Sequence, residues 1–110
     1  MVEFDPARGS EQAGTRPAVV VSNDINNRNS TVVIVAAITK TVPEKHYPQN
    51  VFLPGGVLPE DGTIMGGQLL TVAKERLLRY RGELSGEQTE ELNEALRISL
   101  GLPRGVRPAD

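Results

Sequence analysis

The chain has no cysteine and no tryptophan, a single histidine, His46, and only 4% aromatic residues. Lack of thiols excludes a disulfide framework, a cysteine-ligated zinc site and a cysteine nucleophile. Clustered acidic ligands are missing as well: Glu60-Asp61 and Glu90-Glu91 are adjacent pairs, and neighbouring positions do not face one site. No metal and no other cofactor is therefore expected. The glycine pairs Gly55-Gly56 and Gly66-Gly67 lack the spacing and the following helix of a phosphate-binding loop. No apolar run approaches bilayer length, and the opening Met1-Val2-Glu3-Phe4-Asp5-Pro6 lacks the basic and apolar pattern of a secretory leader. A cytoplasmic protein without membrane contact is the expectation.

A positive excess is absent too. Lys plus Arg number 12 against 14 for Asp plus Glu, a formal charge of -2, so the overall basic surplus common in duplex-DNA binders is missing. A protein gripping a short single strand needs only a local cation cluster, so nucleic acid stays open.

What is present fits one compact domain. The 110 residues are 38% hydrophobic, and the core must come from Val, Ile, Leu and Ala. Residues 1–103 read as that domain and 104–110 as a frayed tail. Ala18 to Ser22 and Val32 to Ile38 are β-branched runs, read as strands buried on two faces. The Asn-rich stretch Asn23 to Ser30 reads as a loop. So does Lys40 to Pro48, where Pro43 and Pro48 remove ladder donors. Asn50 to Leu53 and Gln68 to Val72 read as strands, Lys74 to Leu78 as a helical turn and Arg79 to Leu84 as a last strand. The clearest helix begins at Ser85, where Ser-Gly-Glu-Gln forms a capping box with Gln88. Its apolar face is Leu92, Ala95, Leu96 and Leu100, with Gly101 and Pro103 ending it. Short strands followed by one amphipathic helix predict a mainly β fold, a small curled sheet or partly open barrel with the C-terminal helix packed against it.

Candidate chemistry collects at strand ends. Arg16 precedes Pro17, which biases it to an extended conformation at the mouth of one strand, and Thr39 ends the other long apolar run. If those strands are neighbours, the two side chains meet at one rim of the sheet. A guanidinium fork and a hydroxyl suit a phosphodiester site, because they hold and neutralise a developing pentavalent phosphorus. Glu11, between Gly9 and Gly14, offers a carboxylate. His46 is a further candidate for touching substrate. Arginine and threonine are also common at strand ends without any function, and the residue types alone leave that reading open.

The run Phe4-Asp5-Pro6-Ala7-Arg8-Gly9-Ser10-Glu11-Gln12-Ala13-Gly14-Thr15-Arg16-Pro17 resembles the signature of MazF/PemK toxins. Asn23 to Arg28, Ile34 to Thr39 and Glu94 to Leu102 extend the resemblance over nearly the whole chain. It implies an SH3-like barrel of the CcdB/MazF toxin type with a terminal helix, working as a homodimer. It implies metal-independent, sequence-specific cleavage of single-stranded RNA through 2′-hydroxyl attack, which stops translation and growth until a MazE-like antitoxin binds. Arg16 matches the arginine held to be catalytic, Thr39 the threonine acting with it, and Glu11 a glutamate implicated in some members. Gln12, Thr15, Lys40, His46 and Gln68 are the expected RNA contacts, with Lys40 to Pro48 closing over substrate. Two departures stand out. Met1-Val2-Glu3 replaces the usual opening strand, which is therefore expected to be missing, and Gly67-Gln68-Leu69-Leu70 lacks an acidic residue and an arginine that usually flank this glutamine. The alternative is an inactivated homologue that still dimerises and binds antitoxin or RNA. Gyrase poisoning, as by CcdB, has no support in the motif set.

Overall fold

The computed structural model describes residues 1–4 and 16–103. Six strands form one antiparallel sheet: β1 (Val2–Phe4), β2 (Arg16–Val20), β3 (Val32–Thr39), β4 (Asn50–Leu53), β5 (Gly62–Ala73) and β6 (Leu77–Tyr80), in the spatial order β4-β5-β3-β2-β1-β6. A short helix α1 (Asp24–Asn29) follows β2, a 3₁₀ turn (Lys74–Arg76) joins β5 to β6, and helix α2 (Gly86–Ser99) ends the described chain. The expected architecture, a mainly β fold of barrel-like type with a C-terminal helix, is the one observed.

The period-two alternation of the strands sorts their side chains into two clusters. Val19, Ala36, Ile38, Val51, Leu53 and Ile64 point to one face, where Leu92 and Ala95 of α2 cover them. Ala18, Val33, Val35 and Val72 form a second cluster on the other face. β2 and β3 are thus buried on both sides, as their unbroken β-branched runs indicate. Burying an aliphatic side chain fully is worth about 1.5–3 kcal/mol, so these two clusters, rather than any polar network, hold the sheet.

One irregularity shapes the functional end. Along β3 and β5, Ala36 faces Leu69 but Ala37 faces Met65, which leaves Gly66, Gly67 and Gln68 as extra residues in β5. The odd number of extra residues reverses the facing of everything after it, sending Leu70 and Val72 to the face of Val35 and Val33. Gly66 is required there: a Cβ would sit 2.3 Å from the Gln49 carbonyl oxygen, to which the Gly66 N–H donates at 2.9 Å.

Helix α2 begins as expected, with the Ser85 hydroxyl accepting from the Gln88 N–H at 3.1 Å and the Gln88 side chain accepting from the Ser85 N–H at 2.9 Å. It ends in a Schellman turn: Gly101, at φ +66, donates to Ile98 and Leu102 donates to Arg97. Its buried face is narrower than expected, because Leu100 beyond the last turn is 55% exposed.

Three further expectations are corrected. The opening strand is present: Val2 to Phe4 pair with both β2 and β6, so Met1-Val2-Glu3 supplies the missing element with other side chains. Backbone hydrogen bonding, not side-chain identity, makes the ladder. The Asn23 to Ser30 stretch is not simply a loop but holds α1, since the Asn23 side chain caps it by accepting from the Asn26 N–H at 2.8 Å. The last strand is β6, Leu77–Tyr80, earlier and shorter than Arg79 to Leu84. The expected tail, 104–110, lies outside the described residues.

Candidate functional site

Arg16 opens β2 and Thr39 closes β3. These strands pair with Ala18 opposite Ala37 and Val20 opposite Val35; the same register carried two residues further sets Arg16 opposite Thr39. Both then lie on the face of Ala18 and Val35, at the rim where the buried clusters end. The condition attached to their convergence, that the two strands be neighbours, is met. Arg16 is exposed and Thr39 half-buried.

Thr39 stands between two concavities. On one side an open groove of about 520 Å³ is lined by Thr41, Tyr47, Asn50, Met65 and Gln68 together with Thr39. On the other a hollow of about 260 Å³ is lined by Pro17, Ile38, Lys40, Glu60 and Arg81, again with Thr39. The bulge in β5 places Gln68 in the larger groove, where an unbroken strand would have carried it onward along the ladder. Rotation of the Thr39 hydroxyl is restricted. Its Oγ1 accepts from the Thr41 N–H at 3.2 Å, which occupies a lone pair and leaves the O–H free to donate.

The remaining sequence candidates divide. Lys40 lines the smaller hollow, with its ammonium 3.9 Å from the Glu60 carboxylate in a pair whose side chains are both largely exposed. Such a pair holds neither group firmly, and the lysine is available to a phosphate. His46 is exposed in the loop between β3 and β4, where it lines a small hollow with Val42, Phe52 and Thr63; this hollow adjoins the groove beside Thr39, since Pro43, Tyr47 and Asn50 line both. Glu11, Gln12 and Thr15 lie outside the described residues.

Sequence reasoning missed Asn50 and reached Tyr47 and Thr41 only as members of the Lys40 to Pro48 segment, without singling them out. Tyr47 had a signal: it is one of four aromatic residues in the chain, placed in the loop that faces the groove, and the Lys45 ammonium stands 5.6 Å from its ring centroid. Asn50 had none, because its place at the groove follows from the pairing of β4 with β5.

The chemistry available is that of an arginine fork, a hydroxyl donor and amide groups beside a groove open to solvent. Among the described residues there is no group of three or more His, Asp or Glu arranged to hold a metal ion, and no helix is long and apolar enough to cross a membrane. Arg16 and Thr39 supply hydrogen-bond donors and charge, which is what stabilises a phosphorane.

The chain is similar to known proteins both in sequence and in fold. Residues 1–100 match the family model described as PemK-like, MazF-like toxin of type II toxin–antitoxin systems. The chain is 38% identical over 104 residues to Endoribonuclease MazF of Staphylococcus saprophyticus, covering 93% of this chain and 87% of that protein. Among solved structures it resembles an endoribonuclease in complex with its cognate antitoxin from a mycobacterial species, with TM-score 0.75 and 27% identity over 94% of this chain and 95% of the other. The fold of the Mycobacterium tuberculosis toxin MazF-mt6 is also similar, with TM-score 0.76 and 22% identity over 93% of this chain and 97% of that one.

Proposed function

Because this chain belongs to the PemK-like, MazF-like toxin family, we propose that it is an mRNA-cleaving endoribonuclease whose reaction takes place at Arg16 and Thr39. The observation that carries the reading is the register of β2 on β3, which, continued two residues past Ala18 and Ala37, sets Arg16 across from Thr39, a residue that lines the groove.

A single strand of RNA lies over this rim with a phosphate at Arg16 and Thr39. The ribose 2′-oxygen forms a bond to the adjacent phosphorus as the bond to the 5′-oxygen breaks; the proton lost at the 2′-hydroxyl is balanced by one gained at the leaving oxygen. The products are a 2′,3′-cyclic phosphate and a 5′-hydroxyl end. Arg16 offers paired donors to the equatorial oxygens as charge builds on them, and Thr39 donates a hydrogen bond to the same group. Glu11 is the helper carboxylate in this scheme. Bases enter the groove, where the amides of Asn50 and Gln68 and the ring of Tyr47 meet them, with Gln12, Thr15, Lys40 and His46 as further contacts to the strand. The protein works in the cytoplasm as a homodimer, and a MazE-like antitoxin neutralises it; the solved complex of a relative with its cognate antitoxin supports that partner. No metal is needed in this scheme.

Incubation of the purified protein with single-stranded RNA in excess chelator tests the reading. The parent cleaves, and Arg16→Ala slows cleavage by about 10²–10³-fold, the usual loss when a charge-stabilising donor is removed. Since Arg16 is exposed, the variant keeps its fold. Cleavage that stops in chelator, or an Arg16→Ala protein as fast as the parent, refutes the mechanism. The alternative of an inactive binding module keeps one support only, the altered Gly67 to Leu70 segment, now that the opening strand is seen in place. Absence of growth arrest on expression, with antitoxin binding intact, would favour it.

A further inference from the structure

Thr63 is the buried polar residue of the described chain, 3% exposed. A valine of the same shape would satisfy that position without bringing a hydroxyl out of water. The hydroxyl is nevertheless used, since Thr63 Oγ1 donates to the Thr41 carbonyl oxygen at 2.9 Å. The N–H of the same Thr41 donates to Thr39 Oγ1 at 3.2 Å. Thr63 and Thr39 are, in addition, direct cross-strand partners on β5 and β3. Thr41 lies just beyond β3, outside the sheet, at the start of a segment without regular structure before β4. No ladder bond fixes Thr41; its own N–H reaches back only two residues to Thr39, and the bond from Thr63 is the one that ties it to a neighbouring strand.

We propose that Thr63 is a positioning residue for RNA cleavage: by anchoring the Thr41 carbonyl it fixes residue Thr41, holds the N–H on the other side of the Thr41 Cα against Thr39 Oγ1, and so turns the Thr39 hydroxyl proton toward the phosphate. This rests on the assignment of Thr39 to the reaction. With one lone pair of Oγ1 occupied by the Thr41 N–H, the O–H is directed away from the backbone and toward the rim. Without the Thr63 bond the Thr41 carbonyl is released, the backbone on both sides of its Cα can turn, and the Thr39 hydroxyl is free to satisfy itself with water or with nearby carbonyls. Thr63 itself never touches the substrate. It acts through the orientation of another side chain, so its removal lowers kcat and leaves KM nearly unchanged.

A double-mutant cycle on cleavage of the oligoribonucleotide that the parent cuts fastest provides the test. Thr63→Val is expected to lower kcat about tenfold with KM changed less than about twofold, and Thr63→Ser, which keeps the hydroxyl, to restore most of the rate. In a Thr39→Val background, Thr63→Val is expected to have no further effect, because the group it positions is gone. An additive loss there overturns the proposal, as does a Thr63→Ser protein no better than Thr63→Val. If Thr39→Val itself cleaves at the parental rate, the assignment of Thr39 fails and the relay with it; if Thr39→Val is slow while Thr63→Val is not, the relay alone fails. Should Thr63→Val not fold, by circular dichroism, Thr63→Ser against Thr63→Ala carries the same comparison.

Discussion

Replacing Gly66 by alanine tests how β5 reaches the groove. The added methyl would lie 2.3 Å from the Gln49 carbonyl oxygen, far inside van der Waals contact, and the atom it meets is backbone, with no side-chain rotamer to move aside. Either the segment before β4 or the bulge in β5 must shift by enough to break the 2.9 Å bond from the Gly66 N–H to Gln49. Overpacking of this kind costs about 1–3 kcal/mol, and the lost backbone hydrogen bond about 1 kcal/mol more. The sum, about 2–4 kcal/mol, corresponds to a fall in Tm of roughly 10–25 °C for a domain of this size. Circular dichroism during heating, with urea unfolding to check the slope, measures it. Gly86→Ala is the matched control: a Cβ there meets nothing within 4 Å, the residue is the first of α2, and a gain of about 0.4–1 kcal/mol is expected from the stiffer unfolded chain. A Gly66→Ala protein melting within about 2 °C of the parent would show that the bulge is not held by this close approach.

Leu92→Ala, which removes a 4% exposed anchor between α2 and the sheet, should cost about 2–4 kcal/mol in urea unfolding. Ser85→Ala removes one arm of the capping box and should cost about 1 kcal/mol, read by the same assay. Gln68→Ala, at an exposed position in the groove, should leave Tm within about 1 °C of the parent while raising KM or changing which RNA sites are cut, as scored by mapping the cleavage ends. An unchanged KM and an unchanged site pattern would remove Gln68 from the RNA contacts.

The parts of this molecule legible in the sequence are those decided over short distances. The capping box at Ser85 and Gln88, the stop at Gly101 and the doubly buried β3 all follow from neighbours within a turn or a strand. β1 escapes a local reading because three residues gain their strand character only from partners far along the chain, Arg16 to Ala18 on one side and Leu77 to Tyr80 on the other. Helix α1 escapes it because asparagine disfavours helices in general, yet here Asn23 caps the helix and the Asn27 amide donates to the Ser22 carbonyl at 2.8 Å. For the site, the strand-end logic of Arg16-Pro17 and Thr39 leads to the rim, while Asn50 and Thr63 stay hidden, since each matters through a cross-strand partner. The Gly66-Gly67 pair advertises backbone freedom in β5, but not that three residues are looped out of register.

Thr39 is a wall shared by two hollows, and for a polymer such a wall is a ridge. A chain laid across a ridge bends at the crest and sends its two ends down opposite slopes. For RNA this unstacks the nucleotides on either side of the phosphate at the crest. Stacked nucleotides hold the 2′-oxygen beside the phosphorus, well off the line of the bond that must break, and parting them allows the ribose to swing into that line. Much of the barrier to self-cleavage is this geometry, so a shape that parts two bases performs chemistry before any side chain donates a proton.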